Sequence, residues 1–434
     1  MKKKFILFTV ILIVAIILIV AIILIVAIIF VLFPFKGKTK QVENINEYAK
    51  EVQSIKVPDN TKIVGLGEAT HGNVEFQNLK KEVFKALIKN NGCKVFAIEG
   101  DFGGCQKVNN YVLNGSGTAK KAVEEIGFGI YRTKEMVDLV QWIHDYNKKV
   151  NESDKIRFYG FDMQRYDNNK EGLFSYYEKV NPSLVDKYKN LLRNLNDKTV
   201  YNQQADKVKD GLKEIENLIN DMKENKAKYI KLSSEKEYIL VLQFAQSIKE
   251  NATLRGADSN YSHVRDKYMA NKIKWILEYE KGNMIFINGH NGHIDKSSAV
   301  GFYTSTYTSM GKYLTDEFGD AYYAIGTDFN KSTFSAVTRK DRDKTFTIKK
   351  SNSLVDQFIN LPENEYFMDF KKAKTNPDLK KIIEEKQPMG NVGAEFNSWQ
   401  KIFKKFYTLN MVPSKAYDGI IVVKKATATE KLKD

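Results

Sequence analysis

Three of the chain's five histidines follow short apolar runs, in the company of acids and glycines. Residues 63–66 lead into Gly67-Glu68-Ala69-Thr70-His71-Gly72, and residues 95–98 run straight into Glu99. Residues 156–159 lead to Gly160-Phe161-Asp162, and residues 284–287 to Asn288-Gly289-His290-Asn291-Gly292-His293. Residues 322–325 lead to Gly326-Thr327-Asp328. A neutral histidine accepts a proton near neutral pH, and a carboxylate beside it fixes the tautomer and stabilises the imidazolium. Water activated by such a pair attacks a carbonyl, while a second histidine or a cation such as Lys80 stabilises the oxyanion. Each group alone has a plainer reading: Glu68 or Asp162 as a helix cap or surface charge, His71 as a satisfied histidine at a helix start. Their concentration behind apolar runs favours a site.

Other chemistries find less support. No G-x-S-x-G elbow occurs, and Ser116 and Ser297 read as loop residues, so an acyl-serine route has no motif behind it. Glu68, His71, Glu99 and His293 are donor types that could hold a metal, but the HExxH spacing is absent. The expectation is metal-independent chemistry with no cofactor. Cys93 and Cys105 show neither CxxC nor finger spacing, and Cys93 reads as a small core side chain.

Groups so far apart in sequence must be gathered by the fold. The apolar runs are short and continuous, and helical patterns separate them, as in Val83, Phe84, Leu87 and Ile88, or Met136, Val137, Val140 and Ile143. This alternation predicts an α/β fold with a mostly parallel central sheet flanked by helices. In such sheets ligands bind outside the carboxyl ends of strands, along one edge. Residues 334–337 and 420–423 are expected to add late strands. Residues 169–280 are rich in Lys, Glu, Asn and Leu and read as an inserted helical subdomain. Residues 370–416 read as helical or irregular. The hydrolytic domain is placed at 41–425 and a disordered tail at 426–434.

Residues 5–33 are apolar apart from Thr9 and repeat ILIVAI three times. The run exceeds the roughly 20 residues a bilayer core requires and the roughly 7–15 of a signal-peptide core. Residues 1–40 are therefore expected to form a single-pass membrane anchor, one N-terminal transmembrane helix meeting the lipid bilayer through residues 5–33. Lysines flank both ends, with a slight edge for a cytoplasmic amino terminus and an extracytoplasmic body. The net charge of +15 is dispersed along a chain that is 43% hydrophobic and 28% charged, which argues against nucleic acid and against wholesale disorder. Nothing in the sequence fixes an oligomeric state.

The strand-end residues, taken with their neighbours, resemble the erythromycin esterase family. The family's G-E-x-x-H turn is matched by Gly67, Glu68 and His71, its strand-closing acid by Glu99, and its Asn-Tyr segment by Asn110-Tyr111. Thr133, Glu135, Trp142, Tyr146 and Asn147 match a further helix, followed by Gly160-Phe161-Asp162. The series closes with Arg265-Asp266-Lys267-Tyr268-Met269-Ala270, His290-Asn291-Gly292-His293 and Tyr417-Asp418-Gly419. The resemblance spans about residues 45–425. It implies hydrolysis of a small-molecule ester or lactone, in the best-known members a macrolide antibiotic, with consequent antibiotic resistance. It implies His71 as general base on water, Glu68 as its acidic neighbour, Glu99 as a second carboxylate and His293 as a second active-site histidine. Lys80 stands where the family has an arginine, which keeps the charge but not the planar fork. Lys80, Asp162, His290 and Arg265 are expected to bind substrate. The rival reading is a non-catalytic extracytoplasmic module on the same scaffold that binds haem or another small molecule.

Overall fold

The computed structural model describes residues 16–23, 40–257, 260–299, 307–340 and 343–432. Residues 16–23 are helical and exposed. Most of the apolar run at 5–33, and so the expected anchor, lies outside the described residues. Among the described residues no helix is long and apolar enough to cross a membrane. Residues 42–434 form a compact unit of their own, and both hydrophobic cores are built from residue 42 onward.

The unit is organised by an eight-stranded sheet in the order β3-β2-β4-β1-β5-β10-β7, with β6 paired to an extension of β5. The strands are β1 Ile63–Glu68, β2 Val95–Asp101, β3 Arg157–Asp162, β4 Ile285–His290 and β5 Tyr322–Ala336. The remainder are β6 Lys344–Lys349, β7 Glu365–Asp369, a separate hairpin of β8 Gln387–Gly390 with β9 Thr408–Met411, and β10 Gly419–Ala426. From β3 to β10 every neighbour is parallel, while β7 and β6 run antiparallel. The central strands are buried along their whole length because helices cover both faces. Their alternation still sorts the side chains: Ile63, Val95, Ala97, Ile285 and Ile287 enter one core, while Val64, Phe96, Ile98 and Phe286 enter the other.

One face is covered by α1 Val74–Asn91, α2 Phe102–Asn114 and α3 Lys134–Asn147. Their Val83, Phe84, Leu87, Val108, Leu139, Val140 and Ile143 pack on the sheet. The other face receives the helical insertion between β3 and β4, whose long members are α4 Asp167–Val180, α5 Ala205–Glu224, α6 Glu235–Arg255 and α7 Tyr261–Tyr279. It shares the core beneath the sheet rather than standing apart. A buried ion pair, Lys272 Nζ to Glu250 at 3.0 Å, ties α7 to α6 and fixes the helix that points at the strand ends.

Three expectations need correcting. Residues 334–337 do not start a new strand: residues 334–336 end the fifteen-residue β5, whose polar second half is held by β6 and β10. The region 370–416 contains the β8–β9 hairpin beside its helices. Residues 426–432 are not a loose tail. Thr429 N–H donates to the Gly72 carbonyl at 3.0 Å, the Val74 N–H to that of Thr427 at 3.0 Å, and the Leu432 N–H to that of Arg132 at 2.8 Å. The reason is backbone pairing, which a polar sequence does not advertise.

Candidate active site

Register delivers the strand-end residues to one edge. Glu68 at the end of β1 stands level with His290 at the end of β4, and Asp101 of β2 with Asp162 of β3. Gly67 makes the close fit possible, since a Cβ there would lie 2.2 Å from Asn291 Oδ1. Asn291 in turn braces the edge, its amide donating to the carbonyls of Thr327 at 2.7 Å and Gly390 at 3.0 Å.

The edge opens into a cleft of about 450 Å³ whose lining includes His71, Glu99, Asp162, Arg265, His290 and His293. Six of the eight expected site residues are thus brought together. The other two, Glu68 and Lys80, lie directly behind His71, with 1% and 0% of their side chains exposed.

His71 Nδ1 is 2.6 Å from Glu68 Oε1, and the second oxygen of Glu68 is 3.0 Å from Lys80 Nζ. Burial would raise the Glu68 carboxyl, but Lys80 and His71 outweigh it and hold the group down at about 2. An ionised Glu68 can only accept, so Nδ1 of His71 carries the proton of that bond. Lys80 donates to Gln77 Oε1 at 2.6 Å, and Gln77 Nε2 donates back to the His71 carbonyl at 2.8 Å. The sequence assigned Lys80 to substrate binding, but its side chain is wholly buried, and it is the counter-charge of Glu68. Its position was readable: Phe76, Leu79, Lys80, Val83, Phe84 and Leu87 share one buried helical stripe.

The opposite wall is a charge cluster. Arg265 Nη2 donates to Glu99 Oε1 and to Asp162 Oδ2, both at 2.6 Å, and its Nε reaches Asp162 at 3.2 Å. Its Nη1 lies 3.1 Å from His293 Nε2. His293 Nδ1 is 2.7 Å from Asp266 Oδ1, and its Nε2 is 3.4 Å from Glu99. Burial opposes charge at Glu99, yet His293 and Arg265 hold its carboxyl well below the usual range. Burial also pulls His293 down, but Asp266 and Glu99 push it up to about 10. Arg265 and His293 are consequently neighbouring cations, their mutual repulsion offset by Glu99, Asp162 and Asp266. Asp162, with none of its side chain exposed, holds Arg265 from the floor of the cleft.

His290 differs from both. Its backbone N–H donates to Glu99 Oε2 at 2.9 Å, and ring Nε2, at 3.0 Å from the Val392 carbonyl, must carry a proton to bond it. Burial and the neighbouring His71, with ring centroids 5.0 Å apart, hold its pKa down at about 3. The three histidines of the cleft so differ in what holds them: His71 bonds Glu68, His290 a backbone carbonyl, and His293 Asp266 with Glu99 close by. Asp266, the neighbour of Arg265 on α7, is the residue that orients His293. Tyr131 was missed as well; its ring lies under Lys80 at 5.1 Å and its hydroxyl donates to the Glu99 carbonyl at 3.1 Å. Phe128, Arg165, Tyr201, Val337, Ala394 and Lys431 line the mouth from loops and the tail, where no periodic pattern marks them.

The raised His293 value has a measurable consequence. A histidine whose pKa rises on folding contributes stability that is whole below its ordinary value of 6.5 and is lost as pH climbs through about 10. In that window its share of the unfolding free energy falls by up to roughly 1.4 kcal/mol per pH unit. Urea unfolding of the 42–434 fragment at rising pH is expected to show a steeper decline than in His293→Gln. Parallel slopes would contradict a cationic His293.

Among the described residues no group of three or more His, Cys, Asp or Glu is arranged to hold a metal ion. The carboxylates of the cleft are instead engaged by Lys80, Arg265 and the histidines.

Residues 88–426 match the erythromycin esterase family model, which is most of the chain. The chain is 24% identical over 322 residues to erythromycin esterase type II of Escherichia coli, covering 68% of this chain and 75% of that protein. Its fold is similar to the crystal structure of a Bacillus cereus protein, with a TM-score of 0.76 at 22% identity over 90% of this chain and 98% of the other. It is also similar to a mutant of the erythromycin esterase EreC in its open conformation, with a TM-score of 0.65 at 15% identity over 87% and 93% of the two chains. With the family model matched from the end of α1 through the helical insertion to the end of β10, this chain belongs to the erythromycin esterase family of hydrolases.

Proposed function

We propose that the chain hydrolyses a carboxylic ester or lactone by direct attack of water, with His71 as general base. The observation that carries this is the 2.6 Å contact between His71 Nδ1 and a buried, ionised Glu68, which leaves Nε2 as a base in the cleft. In the first step His71 Nε2 takes a proton from water as the water oxygen bonds to the carbonyl carbon. The carbonyl π electrons move to oxygen, and that oxyanion forms opposite Arg265 and His293. Collapse of the tetrahedral species breaks the bond to the alcohol oxygen, which leaves with the proton held on His71. The products are an acid and an alcohol. Glu99 does not act as the base, because its two oxygens are committed to Arg265 and to the His290 N–H.

We also read residues 5–33 as a bilayer anchor that holds the catalytic body on the extracytoplasmic side, on hydropathy and on the slight charge asymmetry of its flanks. A macrolide is one substrate within this class, and an ester or lactone of the cell envelope is another.

The test is a panel of aryl esters, alkyl esters, lactones, macrolides and matched amides, run with the 42–434 fragment. Turnover of one ester or lactone subclass is expected, far faster than its amide. Oxygen from labelled water should enter the acid product without a burst of bound acyl group. Failure on every member, alongside tight binding of haem or another small molecule, would turn the reading into the non-catalytic module.

A further inference from the structure

A second surface is built for contact, and none of its residues lines the catalytic cleft. Between Phe396 and Tyr407, which are buried at 1% and 5% exposure, the chain bows outward through two short 3-10 turns, Ser398–Ile402 and Lys404–Phe406, with no buried residue in either. Trp399 is 53% exposed, Ile402 61% and Phe403 37%. Large apolar side chains seldom gather in the open without a partner to cover them. These are pre-arranged: Trp399 packs edge-on against Phe406 at 4.7 Å, and Phe403 meets Phe406 at 6.2 Å. Lys401, Lys404 and Lys405 are interleaved with them, and residues 399–406 contain no acid.

We infer that residues 398–406 are a docking surface for an anionic lipid bilayer. The chemistry is that of an interfacial segment: an indole and apolar side chains seated at headgroup depth, with lysines reaching the phosphate layer. A protein partner would also cover apolar groups, but protein interface cores are poor in lysine, and here lysine alternates with the aromatics. The sequence supplies a second argument, because the same chain carries the 29-residue apolar run at 5–33, of bilayer-spanning length. A spanning anchor would tether the body at one point, and a basic, apolar patch would add a second contact that limits how the body turns on the surface. The patch also fixes what faces the lipid. Ala394 lines the catalytic cleft and precedes Trp399 by five residues, which places the rim within roughly 18 Å of the interface even if that stretch is fully extended. A docked patch would hold the cleft mouth beside the headgroups.

Flotation of the 42–434 fragment with vesicles tests this without the anchor. The fragment is expected to float with phosphatidylcholine vesicles that contain phosphatidylserine and to stay behind with phosphatidylcholine alone. Trp399→Ser combined with Ile402→Ser and Phe403→Ser should weaken that binding at least tenfold while the melting temperature stays within a degree or two. Replacing Lys401, Lys404 and Lys405 by glutamine should abolish the preference for phosphatidylserine. Unchanged flotation in both variants, or none for the wild type, overturns the inference. So does concentration-dependent dimerisation of the fragment that the serine substitutions remove, which would make the patch a protein interface.

Discussion

Replacing His71 by alanine is expected to lower kcat by three to four orders of magnitude and to leave KM within a few-fold. General-base catalysis contributes roughly 10²–10⁴ in rate, and His290, the neutral histidine beside His71, is held down at about 3 and is too weak a base to take over. Glu68→Gln should cost nearly as much. An amide at position 68 cannot stabilise the imidazolium that forms as the proton moves, although it fills the same space. The two losses should not add. Glu68 acts only through His71, so the double substitution is expected to be no slower than His71→Ala alone. The confounding effect is stability, because Glu68→Gln strands the fully buried Lys80. Pairing Glu68→Gln with Lys80→Met removes both charges and should recover most of the folding free energy without restoring turnover. Steady-state kinetics and urea unfolding on the four proteins decide the matter. A Glu68→Gln enzyme within tenfold of wild type would show that the carboxylate does not serve His71.

The strands and their terminal groups could be read from sequence because a strand buried on both faces has to be continuously apolar. Where it ends, the first polar residue is conspicuous, and Glu68, Glu99, Asp162 and His290 were all visible in that way. What was hidden depends on pairing rather than on composition. The second half of β5 is polar, held by hydrogen bonds to β6 and β10, and reads as a loop that restarts at Phe334. The tail beyond Ala426 bonds through its backbone and has no hydrophobic signature. Lys80 was assigned to substrate because its partner could not be seen: the buried carboxylate that retains it sits twelve residues earlier, on a different element. Asp266 lies beside Arg265 on α7, and adjacent helical positions point in directions about 100° apart, so one was assigned and the other passed over. In the structure both serve one cluster, Arg265 reaching β2 and β3 while Asp266 reaches the turn after β4.

That cluster carries the second large expectation. Arg265→Met is expected to destabilise the fold by about 3–5 kcal/mol, the usual cost of removing one partner from a buried charge network. Glu99 and Asp162, 7% and 0% exposed, would each lose their shortest cationic contact. The rate should fall too, by roughly 10²–10³ in kcat, because the oxyanion would face His293 alone. Arg265→Lys separates the two effects. Lysine preserves the charge and should return much of the stability, but one ammonium cannot span Glu99 and Asp162 while presenting a further N–H beside His293. Its kcat should therefore stay depressed at least tenfold although its unfolding free energy approaches wild type. A lysine variant that recovers rate and stability together would show that only the charge matters at this position. A methionine variant as stable as wild type would mean that the carboxylates around Arg265 take up protons when the cation goes, and the folded protein would then bind extra protons measurable by titration.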